Sequence, residues 1–262
     1  MTSLGYNRIT TKSYFTLNYY KEVLESKEFF KSLFYTIKIN TIASLFSIIL
    51  TVVILFIIFL NRKKYFYVRN LKKTLEIPIF IPYLVSAYGI FLLLMKKGLI
   101  NNILFKIGVI KDIQQFPILI NDDSGIGIIL TYIWKTFPFM TVMSLPVMFR
   151  IDKNWEKLGK VYNLSDFGFY KKIVLPLMLP SLSISFFIVL TYFFASFETP
   201  YILGVTYPKV LSVLVFEMYT KGSLELRGKV MVMNILISSI SLLIGGVMCL
   251  IFKFFKFQGR EW

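Results

Sequence analysis

The sequence contains no histidine and a single cysteine. Without imidazole the chain lacks the usual general base of neutral pH and the commonest metal ligand. Cys249 lies in the last apolar run, so no intrachain disulfide can form. A Walker-type glycine loop (GxxxxGK followed by Ser or Thr) is missing, which excludes ATP binding by that route. Acids are scarce, with 14 Asp and Glu against 30 Lys and Arg. The short alternating segments of an outer-membrane barrel are not seen. The first residues, MTSLGYNRITTKSYF, hold no apolar core and do not read as a signal peptide. These absences leave no expected catalytic group, metal site or cofactor.

What the chain has is apolar length. It is 56% hydrophobic and 18% aromatic over 262 residues, with a mean hydropathy of +0.67, more apolar than soluble domains are. Crossing a bilayer takes roughly 20 apolar residues. Five runs qualify, at about 33–60, 75–95, 126–148, 177–203 and 230–252, so the expected class is an all-α membrane protein. The net charge of +16 would suggest nucleic acid on a soluble protein. Here the basic residues gather between spans, at Arg62, Lys63, Lys64, Arg69, Lys72 and Lys73, at Arg150, Lys153, Lys157, Lys160, Lys171 and Lys172, and at Lys253, Lys256 and Arg260. Alternating spans place all three groups on one side, the cytoplasm, with the C-terminus inside and the N-terminus outside. No nucleic-acid partner is expected; membrane lipid is. Residues 1–32 read as an extracytoplasmic tail, where TLNYYKEVLESKEFFKSL forms either a surface amphipathic helix or a solvated segment. Residues 33–257 form the transmembrane domain and 258–262 a cytoplasmic tail. Pro78, Pro82, Pro138 and Pro146 are expected to break or kink helices at membrane depth, a habit of transporters.

The loop 150–176 is polar, aromatic and broken by glycine. Asp152 to Tyr162 can form a short helix, and Asn163 tolerates the left-handed conformation that ends helices. Ser165 or Asp166 then caps a second helix, with Gly159 and Gly168 allowing close approach. Pro176 is expected to break that helix where it meets the membrane. The product is a helix–turn–helix knob carrying Trp155, Tyr162, Phe167, Phe169 and Tyr170, too aromatic for a partnerless loop.

These residues resemble the cytoplasmic EAA loop of the membrane subunits of ABC importers of the type I (MetI-like) fold. Aligned on Ile173 and Pro176, the Glu-Ala-Ala triplet falls on Lys157, Leu158 and Gly159, with Glu156 one step early, and the family glycine falls on Asn163. The motif is therefore degenerate. The flanking stretches resemble the family in order. FTLNYYKEVLESKEFFKSLFYTIKINT is similar to the lead into the first core span, TYIWKTFPFMTVMSLPVM to the third, and SFETPYILGVTYPKVLSVLVFEMYT to the external segment of the polyamine, ferric-iron and phosphonate branch. Members usually carry one further span before this lead. The chain is thus expected either to be a five-helix member or to start downstream of the ancestral start.

The resemblance implies half of a translocation pathway for a small hydrophilic solute in a bacterial cytoplasmic membrane. It implies a second permease subunit, a paralogue, beside two ATPase subunits and an extracytoplasmic binding protein. The knob would be the coupling helix that docks on an ATPase through Glu156, Lys157, Gly159, Lys160, Tyr162, Asn163, Leu164, Ser165, Asp166 and Phe169, with Pro176 joining it to the next span. ATP hydrolysis belongs to the partner, and the chain itself is no enzyme.

Candidate pathway residues are Glu198, an acid near a span end, and the aromatics Tyr88, Trp134, Tyr192 and Phe197, which could stack on a cation or serve packing and the interfacial belt. Lys135 is expected to snorkel outward. Glu217 is placed on a short external helix, and Asp122 and Asp123 in a turn. The rival reading is a secondary transporter with proline-broken helices around a midplane site. It needs a repeat between halves and buried charges at the membrane centre. A membrane enzyme would need a cluster of His, Cys or carboxylates that the chain does not supply.

Overall fold

The computed structural model describes residues 16–151, 161–222 and 226–258, with Ser3, Trp155, Lys157 and Gly159; for 248, 249 and 251–258 it describes backbone alone. Among these residues there is no strand. The helices with described bounds are α1 (Asn18–Glu25), α2 (Lys27–Leu60), α3 (Tyr65–Phe80), α4 (Tyr83–Leu94), α5 (Leu99–Lys106), α6 (Ile126–Phe149), α7 (Asp166–Phe169), α8 (Leu175–Ala195), α9 (Glu198–Leu203), α10 (Leu211–Lys221) and α11 (Arg227–Gln258). Among the described residues five segments are long and apolar enough to cross a membrane: Lys27–Leu60, Tyr83–Lys106, Ile126–Phe149, Asp166–Ala195 and Arg227–Val247. This is an all-α membrane protein.

The chain divides into two compact units. Unit 1 comprises Met1–Ile42, Tyr83–Thr131 and Thr191–Ile244. Its core joins Val23 and Phe29 to Leu211, Leu214 and Val215 of α10 and to Val230, Val232 and Met233 of α11. α1, expected as a surface amphipathic helix or a solvated segment, is a helix that packs one face on protein. Val23 is buried in that core, Glu22 meets Lys229 at 2.7 Å, and the Tyr19 ring lies where a Cβ on Gly228 would stand. The apolar stripe of α1 is therefore taken by protein.

Polar side chains fasten the rest of unit 1. The buried Thr36 hydroxyl accepts the Leu211 N–H at 2.8 Å, closing one of the orphan donors that open α10. Asp122 does the same for α6, its carboxylate accepting from Ser124 N at 3.0 Å and Ile126 N at 2.9 Å. Asp122 thus closes a turn, as its sequence suggests. Gly125 completes it at φ 70°. A side chain there would run into Ile39, 2.6 Å from the Cβ position.

Unit 2 comprises Ala43–Pro82, Tyr132–Leu190 and Gly245–Trp262. Its core gathers Leu55, Ile58 and Phe59 of α2, Leu75 of α3, Leu145 and Met148 of α6, and Phe169, Tyr170, Val174, Met178 and Leu182. α2 looks uniformly greasy in sequence, yet it buries Ser44, Ser47 and Thr51 in this unit. Ser47 bonds Thr136 at 2.7 Å and Thr51 donates to the Phe137 carbonyl at 3.1 Å. Small hydroxyl residues of this kind let membrane helices approach and bond closely.

Of the four prolines expected to break or kink helices, Pro82 stands at a helix break and the other three lie inside helices. Pro138 and Pro146 sit inside α6, and Pro78 inside α3. The helix stops only at Ile81, which is extended at ψ 130°, just before Pro82. The second span, expected at about 75–95, is therefore divided between α3 and α4. Pro176 does not break its helix either. A π-helical turn at Tyr170–Val174 precedes α8, and the Leu175 N–H reaches back to the Tyr170 carbonyl. A wider turn accommodates a residue that lacks an N–H and whose ring crowds the preceding carbonyl.

Candidate functional site

The knob is built from local chemistry and then fixed by aromatic packing, all within unit 2. Trp155, Lys157, Gly159 and Val161 are helical. Asn163 takes φ 49°, and the Leu164 N–H bonds the Gly159 carbonyl at 2.9 Å, the six-residue closure of a Schellman motif. Ser165 then accepts the Gly168 N–H on its hydroxyl at 3.1 Å and opens α7. Asp166, in the first turn, favours the helix dipole and lies 3.9 Å from Arg62.

Two aromatic residues of the knob face inward. Phe169 stacks on Phe59 with centroids 5.9 Å apart. Tyr170 packs on Phe56 at 4.9 Å and donates to the Val52 carbonyl at 2.9 Å. Gly159 is needed here, because a Cβ would stand 2.4 Å from the Phe169 ring. Arg62 lies over Phe59 at 4.0 Å and donates to its carbonyl at 2.9 Å, closing the end of α2. Two other aromatics face outward: Tyr162 is 74% exposed and Phe167 60%. Among the expected contact residues, Lys157, Asn163, Ser165 and Asp166 are exposed, Leu164 is half-buried, and Pro176 is exposed in the first turn of α8. Glu156 and Lys160 lie outside the described residues.

Of the pathway candidates, Tyr88, Tyr192, Phe197 and Glu198 belong to unit 1. Glu198 opens α9 and is half-buried. Phe197 stacks on Phe216 at 4.9 Å and meets Tyr201 at 6.1 Å. Phe197 also lines an open cavity of about 490 Å³ whose wall carries Ser212, Asn234 and Ser238 among apolar side chains. Tyr192 leans on Tyr83 at 4.8 Å, and Tyr88 stacks on Phe91 at 6.2 Å. Trp134 is half-buried on α6 in unit 2. Phe197 and Glu198 thus share one corner, whereas Tyr88 is engaged along its own helix. Glu217 lies on α10, 2.5 Å from Lys209 and 3.8 Å from Lys221. The hydrogen bond from Lys209 holds its carboxyl below the usual range. No group of three or more His, Cys, Asp or Glu able to hold a metal occurs among the described residues.

No protein-family profile matches the chain, and no curated protein does. Solved structures do. A chain of a bacterial alginate ABC transporter, crystallised in complex with alginate pentasaccharide-bound periplasmic protein, matches with a TM-score of 0.76 at 18% identity, over 90% of this chain and 82% of that one. A chain of a bacterial ABC transporter involved in the import of the acidic polysaccharide alginate gives 0.76 at 15% identity, over 96% of this chain and 87% of that one. The fold is that of an ABC importer permease.

One feature of this permease fold escaped the sequence. Lys135 does not snorkel outward: it is 4% exposed. Its ammonium donates to the carbonyls of Pro78 and Ile81 and lies 3.5 Å from that of Ile79. In an unbroken helix the Pro78 carbonyl would accept from residue 82, but proline has no N–H to give. Lys135 supplies the missing donor.

Proposed function

We propose that this chain is the membrane permease subunit of an ATP-driven ABC importer. The observation that carries the reading is the knob, a capped two-helix element with Tyr162 and Phe167 exposed and Phe169 and Tyr170 locked into the end of α2. A docking element that must transmit motion needs both properties, an adhesive outer face and a rigid root. The permease fold supports the reading, as does the order of the resembling stretches. In this reading residues 156–170 are the EAA-like coupling helix of the type I (MetI-like) family. The knob faces the cytoplasm, the N-terminus lies outside, and the protein resides in a bacterial cytoplasmic membrane.

A paralogous permease completes the pathway, two ATPase subunits drive it, and an extracytoplasmic binding protein delivers the solute. The neighbours serve alginate. For this chain the stretch 196–220 favours a small hydrophilic solute of the polyamine, ferric-iron or phosphonate kind, with Glu198 and Phe197 at the pathway. Tyr88, Tyr192 and Trp134 are its further candidates.

Crosslinking tests the reading. Single substitutions Tyr162→Cys, Ser165→Cys and Phe167→Cys, in a Cys249→Ser background, are coexpressed with an ABC ATPase from the same organism. Crosslinks whose yield changes with ATP are expected at Tyr162→Cys and Phe167→Cys. Folded protein that crosslinks at none of the three overturns the coupling role.

A further inference from the structure

Among the described residues α3 is the one long helix of unit 2 outside the five membrane candidates, and its outward face mixes two chemistries. Val68, Leu71 and Leu75 turn toward the unit 2 core. On the opposite side, at helical spacing, stand Phe66, Arg69, Lys73, Ile77 and Phe80, all exposed. Phe66 is 68% exposed and Phe80 82%. A helix facing water would be polar on that side. This one carries its charge in the first half and its grease in the second. Between Arg62 and Phe80 there are six basic residues and one acid, Glu76, which Lys72 approaches at 3.8 Å. The Arg69 guanidinium lies 5.7 Å from the Tyr65 ring and 5.5 Å from the Phe66 ring, so the aromatics support it at the surface.

We propose that this face seats an anionic phospholipid. The headgroup phosphate meets Arg69 and Lys73, and the acyl chains run along Ile77 and Phe80. The two halves of the face match the two halves of a lipid, and the basic run matches the charge of an anionic leaflet. The site rests on the membrane assignment and not on the transport reading.

The full chain, purified in detergent and offered phosphatidylglycerol or phosphatidylcholine, tests this by native mass spectrometry. The wild type is expected to retain phosphatidylglycerol in preference to phosphatidylcholine. The double variant Arg69→Gln/Lys73→Gln should lose about 30-fold in that preference, roughly fivefold per charge. The charge-conserving Arg69→Lys/Lys73→Arg should retain most of it. Lys96→Gln/Lys97→Gln, which removes two exposed charges elsewhere, should retain all of it. Equal retention of both lipids by the wild type overturns the proposal, as does an unchanged preference in the Arg69→Gln/Lys73→Gln variant. Should that variant keep its lipid but lose co-purifying ATPase, the face is a protein contact and the proposal fails in favour of that partner.

Discussion

In unit 2 the ammonium of Lys135 is buried and bonded to backbone carbonyls, whereas in unit 1 that of Lys209 meets a carboxylate 2.5 Å away in a half-buried setting. Their aromatics differ likewise. Phe169 and Tyr170 fill the interior of unit 2, while Phe197 and Phe216 stack on the wall of an open cavity in unit 1. The Lys135 contacts lie where water cannot reach, whereas the Lys209–Glu217 pair is one that water and salt can loosen. In the proposed reading, the contrast suits a pathway end that rearranges around a solute and a coupling root that carries force without slack.

The sharpest way to break this comparison is at the root. Phe169→Ala should cost about 3–5 kcal/mol, the usual range for a buried phenylalanine, read as a fall in thermal midpoint in detergent. Phe167→Ala, on the exposed face, should leave that midpoint within about 0.5 kcal/mol while weakening ATPase co-purification. Equal effects of the two would erase the distinction between root and contact face.

Next comes the buried cation. Lys135→Met leaves carbonyls without a donor and should cost about 1–3 kcal/mol. Pro82→Ala supplies an N–H that can bond the Pro78 carbonyl once Ile81, now extended, turns helical. The double variant should therefore be more stable than the sum of the two single effects predicts. Strict additivity would mean that the ammonium and the proline gap are independent.

The smallest effect is expected in unit 1. Hydrogen bonding from Lys209 lowers the Glu217 carboxyl from its usual 4.5. A lowered folded value means stability that is complete above pH 4.5 and fades as pH falls through the lowered value. Because the pair is partly solvated, a fall of only a degree or two in midpoint is expected between pH 6 and pH 4, reduced by salt and absent in Glu217→Gln. A loss that persists unchanged in Glu217→Gln would place the titrating group elsewhere.

What could be read in advance was what depends on near neighbours. Hydropathy alone gave five membrane segments and an all-α class. Asn163 as a helix end and Ser165 or Asp166 as a cap follow from side chains acting on their own backbone within a few residues. Long-range partners could not be read. Lys135 looks like any lysine near a span end, since the carbonyls that hold it lie more than 50 positions earlier. Phe167 and Phe169 are alike in sequence but differ in the fold: Phe169 stacks on Phe59 and is buried, while Phe167 meets Phe56 edge-on and stays mostly exposed. The break at Ile81 was hidden by apolar residues on both sides of it, although Pro82 marked the place. Ser44, Ser47 and Thr51 vanish in a hydropathy average, yet they set how closely α2 is approached.

The π turn at Tyr170–Val174 has a genetic consequence. Tyr170, Val174, Met178 and Leu182 recur every fourth residue and are all buried, although four residues of α-helix overshoot a full turn by about 40°. The wide turn resets the phase at its start. An in-frame loss of one codon within 170–174 would remove the surplus residue and leave the flanking phase nearly unchanged, whereas the same loss inside the regular helix of α8 would swing everything upstream by about 100°. In that second case the knob would keep its sequence, and a hydropathy plot would hardly change. Its adhesive face would nevertheless point away from whatever it had met before.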